Sequence, residues 1–360
     1  MKTLSDFFEA LVGYVWGLPT VGLLIGSGVV ISILLKGIQI RGFVHGIRVV
    51  CGQYRNPNDP GEISHFKALC TALSATVGLG NIAGVALAIS AGGPGALFWM
   101  ILSGLFGMAT KYAECTLGVL YRRIDAKGIV HGGPMHYIEL GLGRRARPLA
   151  MFFAFACVVA TFGAANMYQT NQVAQTLNNY WNIPAWLTGL VLAGISGVVI
   201  IGGIKRIGTM AAFLVPLMGT IYVLGAVMII ALNIHTVPEL LTRIVSDAFS
   251  GEAAAGGVLG EVVRQGVRRA AFSNEAGLGS SPIAHSAAVT REPVREGTVA
   301  LLEPFIDTVV ICSMTALVIP DRLSGVTARG GKGHRWRPPD GQCLRCLHPW
   351  LRPILYLHRH

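Results

Sequence analysis

Apolar residues fill long stretches of this chain, and short polar segments separate them. Eight stretches are long enough to cross a hydrocarbon core of about 30 Å. They lie at roughly 14–35, 67–90, 96–120, 149–178, 184–204, 208–232, 266–290 and 297–319. Two of them are interrupted at mid-length by the same small polar punctuation. The first reads Ala75-Thr-Val-Gly-Leu-Gly-Asn-Ile-Ala-Gly84, the second Phe272-Ser-Asn-Glu-Ala-Gly-Leu-Gly-Ser-Ser-Pro282. Glycine inside a helix frees the backbone to unwind, and unwound backbone at membrane depth must line a cavity or be buried in protein. The connections 36–66 and 121–148 are expected as loops on one side, and 233–265 on the other. Within the last, Pro238-Glu-Leu-Leu-Thr-Arg-Ile-Val-Ser-Asp-Ala-Phe249 has the apolar spacing of a short helix lying on the surface.

Charge turns this pattern into an orientation. If the first loop is cytoplasmic, that side collects five Lys or Arg around 36–67, six in 121–148, Lys205 with Arg206, and Arg291 with Arg295. The opposite side holds only Lys2, Arg243 and Arg264. This positive-inside bias places the N-terminus outside a cell (inner or plasma) membrane, and the sides alternate without conflict through all eight segments. Composition agrees: 52% of residues are hydrophobic and 13% charged, about half the charged fraction of an ordinary soluble domain. The net charge of +11 does not indicate nucleic acid, because it sits in the connections and in a basic tail. Seven scattered cysteines, several in apolar runs, imply no disulfide framework. Acidic Asp6 and Glu9 ahead of the first apolar run argue against a signal peptide.

An unwound turn exposes main-chain N–H groups at one half-helix and C=O groups at the other. The first set suits a carboxylate and the second a small hard cation such as Na⁺. A zwitterionic amino acid with Na⁺ satisfies both. Thr76 and Asn81 add side-chain oxygens at the first break, and Ser273, Asn274 and Ser280 at the second. A glycine-rich packing motif explains either break alone; the pair, at matching places in two halves, points to the binding site of a secondary transporter.

Four segments carry a resemblance: Thr71-Ala-Leu-Ser-Ala-Thr-Val-Gly-Leu-Gly-Asn-Ile-Ala-Gly84, Gly92-Gly-Pro-Gly-Ala-Leu-Phe-Trp-Met100, Gly107-Met-Ala-Thr-Lys-Tyr-Ala-Glu-Cys115 and Ala271-Phe-Ser-Asn-Glu-Ala-Gly-Leu-Gly-Ser-Ser-Pro282. Together they resemble the alanine/glycine:cation symporter family from about residue 12 to residue 319. The resemblance implies an all-α polytopic membrane protein of the LeuT-type fold, two inverted five-helix repeats preceded here by an extra helix at 14–35. The first repeat is expected at about 67–232 and a partial second at about 266–319. The Gly78–Asn81 turn also resembles the broken first helix of neurotransmitter:sodium symporters. Carried over by motif, Gly78, Leu79 and Gly80 would hold the substrate carboxylate. Asn81, Thr76 and the carbonyls near Ala75 and Val77 would lie near substrate or sodium. Ser273, Asn274, Gly277 and Gly279 would close the pocket from the other side. On the third core helix Thr161, Asn166 and Gln169 are polar in an apolar run, and Gln169 is the expected substrate contact.

Charges inside apolar segments are costly and therefore usually paired or functional. Glu275 sits in the second break, with Arg268 and Arg269 just before it; Glu303 and Asp307 lie one turn apart on one helical face. Lys111 and Glu114, three apart, are expected to pair with each other. A gate is expected in which Glu275 or Asp307 pairs with a basic group such as Arg269. Two carboxylates one turn apart also suit acid–base catalysis, but no nucleophile, metal pair or cofactor loop accompanies them.

The expected function is therefore Na⁺-coupled symport of a small neutral amino acid such as alanine or glycine, with no cofactor beyond Na⁺ as the coupling ion. Its partners are the amino acid, Na⁺ and the lipid bilayer, with no nucleic acid. The alternative is proton-coupled transport of another small solute by the same fold. An enzyme or a channel is the reading from another class, and neither an intramembrane metal constellation nor a pore-lining stripe is visible. Residues 320–360 form a basic tail rich in His, Pro and Arg without helical or strand period. Cys343-Leu-Arg-Cys346 within it is a lone C-x-x-C, too weak a signal for zinc. The tail is expected to be disordered and out of frame. With the resemblance ending near Ile319, three core helices are expected to be missing and the chain alone to be a non-functional fragment.

Overall fold

In the computed structural model, residues 2–249 and 258–319 are described; the expected tail lies outside them. The chain divides into two compact units, residues 156–202 forming one and the described residues on either side of them the other.

The larger unit is built on the Ala96–Leu120 helix, which is long, apolar and deeply buried through Met100, Met108, Lys111, Tyr112 and Cys115. Against it pack Leu18–Leu34, Val258–Asn274 and Pro293–Ala300. The first interrupted segment is broken where the sequence places the break. Helix His65–Thr76 starts at Ser64, whose hydroxyl accepts from the Lys67 amide, a serine N-cap. It stops at Val77, which turns extended. The chain restarts as a single π-helical turn, Gly80–Gly84, running into Val85–Gly92 at 53° to the first half. The second interrupted segment begins earlier than expected, at Val258 within the described residues. It breaks after Asn274 and resumes only as Ser281–His285. Beyond it residues 286–292 are irregular, and Ala288 forms a parallel bridge to Ile63. The expected span at 266–290 is thus shifted toward the N-terminus.

Among the described residues five helical stretches are long and apolar enough to cross a membrane: Ala10–Leu34, Ala96–Leu120, Arg144–Trp181, Gly203–Leu232 and Pro293–Val318. The bent pair His65–Thr76 and Gly80–Gly92 makes a sixth when counted as one span. The other two of the expected eight exist as helices. Ala185–Ile201 is shorter, at 17 residues, and Val258–Asn274 carries Glu261, Arg264, Arg268 and Arg269. Large apolar side chains stay exposed along Gly203–Leu232, among them Phe213, Ile221, Leu224 and Met228, as on a surface facing lipid.

The expected loops carry structure of their own. Ile38–Arg41 and Phe43–Val50 are helical, and Gly46 packs against the Thr298 carbonyl. Residues 121–148 hold the hairpin Arg123–Ile124 with Val130–His131, followed by helix Pro134–Leu142. The short surface helix forms at Val237–Ala248. Its Asp247 accepts from the Gly95 amide at 2.8 Å, and Phe249 beside it packs on Phe98 and Trp99.

The smaller unit begins within helix Arg147–Ala160. It continues through the π-helical turn Thr161–Met167 into Tyr168–Trp181, then reverses at Asn182 in the left-handed conformation before Ala185–Ile201. Asparagine in that conformation followed by Pro184 is a familiar helix stop.

Candidate functional site

The two breaks meet. A side-chain carbon added at Gly80 would lie 3.2 Å from the Ser273 Cα, so the absence of a side chain there lets the first break lie against the second. Asn81 organises its own turn, accepting from the Gly78 amide through Oδ1 at 2.8 Å. Its Nδ2 reaches across to Asp307, donating to Oδ1 at 2.7 Å and to the main-chain carbonyl at 3.0 Å. The other carboxylate oxygen, Oδ2, accepts from Ser273 Oγ at 2.8 Å and Thr308 Oγ1 at 2.9 Å. Asn274 donates to Thr308 Oγ1 at 2.9 Å and caps the second break by accepting from the Ala276 amide at 3.0 Å. Cys312 Sγ lies 3.4 Å from Asn81 Nδ2 and 3.6 Å from Ser273 Oγ. Asn81, Ser273, Asn274, Asp307, Thr308 and Cys312 are all buried.

Asp307 therefore ties both breaks together, and it does so as a carboxylate held by neutral donors alone. Buried acidic groups are rarely left without a compensating charge. A small hard cation beside these oxygens would supply it.

Of the expected site residues, the structure brings together Gly80, Asn81, Ser273, Asn274 and Asp307. Gly78 and Leu79 form the adjoining turn and are half-buried. Thr76 is buried and turns its hydroxyl back to the Ala72 and Leu73 carbonyls, while the Ala75 side chain is exposed. Val77 is the extended residue at the end of the first half-helix. Gly277 and Gly279 take left-handed conformations in the second break; Gly279 packs under Pro134 and Phe153 rather than facing Asp307. Gln169 belongs to the smaller unit, on Tyr168–Trp181, and is half-buried there.

The pairing of Lys111 differs from expectation. Glu275 binds the Ser280 hydroxyl within its own break, and Asp307 is held by Asn81, Ser273 and Thr308. Lys111 does not pair with Glu114. It turns to Glu303, 3.0 Å away, and to Ser281, which itself donates to both Glu303 oxygens. The intrahelical pair loses because Ser281 and Glu303 offer Lys111 a fully buried, hydrogen-bonded carboxylate.

Sequence reasoning missed a second polar group in the same unit. Glu296 is shared by two histidines, His65 Nδ1 on one oxygen and His285 Nδ1 on the other, the latter at 2.5 Å. Their separation in sequence hides them: 231 residues divide His65 from Glu296. The only signal was an ionisable residue at the end of each broken segment.

The sodium:alanine symporter family profile matches residues 1–335, beyond the expected end of the resemblance at Ile319. The chain belongs to that family. A sodium/alanine symporter of Methanococcus maripaludis is 43% identical over 320 residues, covering 88% of this chain and 70% of that protein. An uncharacterized transporter of Haemophilus influenzae is 44% identical, with 88% and 70% covered. A probable sodium/glutamine symporter of Bacillus subtilis is 37% identical, with 88% and 66% covered. Membership makes the chain a transporter of a sodium-coupled amino-acid carrier family and explains its apolar helices. An enzymic reading of Glu303 and Asp307 has no support from these relatives.

Proposed function

We propose that the chain supplies the first repeat and part of the second of a LeuT-type carrier for Na⁺-coupled symport of a small neutral amino acid, alanine or glycine. The observation that carries this reading is Asp307, a buried carboxylate bridging both broken helices through neutral donors. Sodium would take oxygens from this group: the Asp307 carboxylate, Asn81 Oδ1 and the carbonyls of the half-helix ending at Thr76, near Ala75 and Val77. The substrate carboxylate would lie on the amides around Gly78, Leu79 and Gly80, with Ser273, Asn274 and Gly277 forming the opposite wall. Half-helix ends of this kind meet a zwitterion and a cation without a large set of charged side chains. Ion and substrate would bind from outside, where the positive-inside bias puts the N-terminus, and leave after the helices rock. Small-residue packing at Gly80 suits a small substrate.

Sodium-driven uptake of labelled alanine into proteoliposomes tests the reading. The expected result is accumulation that requires an inward Na⁺ gradient and competes with glycine. Uptake driven only by a proton gradient would overturn the sodium assignment, and uptake of glutamine in preference to alanine would overturn the substrate.

A further inference from the structure

Arg122, just beyond the Ala96–Leu120 helix, uses every hydrogen of its two terminal nitrogens on main-chain carbonyls. Nη1 donates to Ser286 at 2.6 Å and Ala288 at 2.7 Å, Nη2 to Pro60 at 2.8 Å and Thr290 at 2.5 Å. Each of these nitrogens carries two hydrogens, so the fork is filled. Its positive charge faces Glu296 and Asp59. A guanidinium near carboxylates commonly takes them bidentate. Here the carbonyls take the fork and the carboxylates balance its charge.

The clasp joins two particular stretches of chain. Pro60 stands just before the first broken helix, which starts at His65; Ser286 to Thr290 follow the second, which ends at His285. The two stretches also pair directly. The Glu62 and Ile63 amides donate to the Ala287 carbonyl, the Val289 amide to Ile63 at 2.8 Å and the Thr290 amide to Pro60 at 3.2 Å. Their fit is close: a side-chain carbon at Gly61 would lie 2.4 Å from the Ala288 carbonyl oxygen. The hairpin closes over them from a third side, its Val130 amide donating to Glu62 Oε1 at 2.9 Å.

The two broken helices thus meet at Asp307 and are fastened a second time at their ends on one face. Solute leaving between them on that side must part the two stretches, which breaks the same bonds. Pro60 is exposed and Arg122 half-buried, so groups freed there meet water and are not orphaned in an apolar interior. That makes the closure reversible.

We propose that Arg122 is the pin of a gate on this face: its carbonyl clasp holds the ends of the two broken helices together and releases when the site opens to this side. The proposal rests on the transport reading for the passage it closes, not for the clasp itself. Cys312 reports that passage, because its buried thiol lies beside Asn81 and Ser273 and is shielded from reagents while the face is closed. A charged methanethiosulfonate is applied to either face of oriented proteoliposomes of the full chain, and peptide mass spectrometry reads the Cys312 adduct. Arg122→Gln is expected to speed labelling from the face of the 121–148 connection at least about fivefold, with no gain from the opposite face, since the closed form loses its pin. Arg122→Lys keeps the charge but cannot span four carbonyls, and is expected to act in the same direction; it carries the test if the Gln variant does not fold. The converse experiment locks the gate. Ile63→Cys with Ala288→Cys puts two thiols on paired backbone, within disulfide reach. Oxidation is expected to slow Cys312 labelling from this face at least about fivefold and to stop alanine uptake, and reduction to restore both. Wild-type labelling in Arg122→Lys overturns the clasp, since charge alone would then suffice. An oxidised pair that labels or transports at the rate of its reduced form overturns the gate. Absent uptake in the wild type, with both labelling responses intact, would instead defeat the transport reading alone.

Discussion

The same tripeptide, Gly-Leu-Gly, breaks two helices of this protein in two different ways. At 78–80 the backbone stays right-handed: the helix ends at an extended Val77, turns once through Asn81, and restarts as a π-helical turn. At 277–279 the chain unwinds from Glu275 to Ser280 with three left-handed residues, Glu275, Gly277 and Gly279, and only five helical residues come after it. In the first break, glycine is needed at Gly80 because another backbone lies against it. In the second it is needed at Gly277 because φ is +88°. A repeated motif therefore does not mean a repeated structure; the first break is a contact surface and the second a fully unwound loop.

Asp307 joins the two, so removing it should have the largest effect. Asp307→Ala leaves Ser273 and Thr308 as buried donors without their carboxylate acceptor, each costing about 1–3 kcal/mol, and Asn81 with only the main-chain carbonyl of residue 307. Sodium-driven alanine uptake is expected to fall to background, with a lowered melting temperature in detergent. Uptake near the wild-type rate would remove Asp307 from the site altogether.

The glycines themselves separate the two kinds of break. Gly80→Ala places a methyl 3.2 Å from the Ser273 Cα, a backbone atom that cannot swing aside. Overpacking of this kind costs about 1–3 kcal/mol, enough to slow transport at least about fivefold while the protein still folds. Gly277→Ala forces a side chain into the left-handed region at about 1–2 kcal/mol, and meets side-chain ends alone, Leu24 at 2.8 Å and Thr110 at 3.9 Å. Its effect is expected in thermal stability, with uptake by the surviving folded protein reduced less than in Gly80→Ala. The reverse ranking in uptake assays and melting curves would mean that the contact between breaks is not what glycine serves.

This contrast also explains what the sequence made legible. The first break could be placed to the residue because its determinants are local: Val77, Gly78 and Asn81 close the turn among themselves. The boundaries of the second could not, because Arg264, Arg268 and Arg269 mask its helix as a polar stretch, and the path of the chain beyond Ser281 is set by pairing of Ala288 with Ile63. Asn81, Ser273 and Asn274 were recognisable as polar residues beside glycines. Their convergence on Asp307 was not, since 226 residues separate it from Asn81. The pairing of Lys111 was misplaced for the same reason, a near partner in sequence having been preferred to Glu303, 192 residues away.

Glu275 gives the smallest effect and the finest test of the comparison. It is the one non-glycine among the left-handed residues of the second break, at φ 53°, and its carboxylate binds Ser280 across the unwound turn. A carboxylate side chain retained in a conformation that costs about 1 kcal/mol relative to glycine needs a reason. If that reason is to fasten the loop in one shape, Glu275→Gln keeps the conformation and a weaker, neutral hydrogen bond, and uptake should fall about two- to fivefold, the equivalent of less than about 1 kcal/mol. Glu275→Gly removes the strain together with the Ser280 link. It should therefore melt no lower than the parent while transporting less well than Glu275→Gln, stability and transport moving apart. Unchanged uptake in Glu275→Gln would end its role in gating. Equal losses of stability and uptake in Glu275→Gly would show instead that the link to Ser280 holds the fold and not the gate.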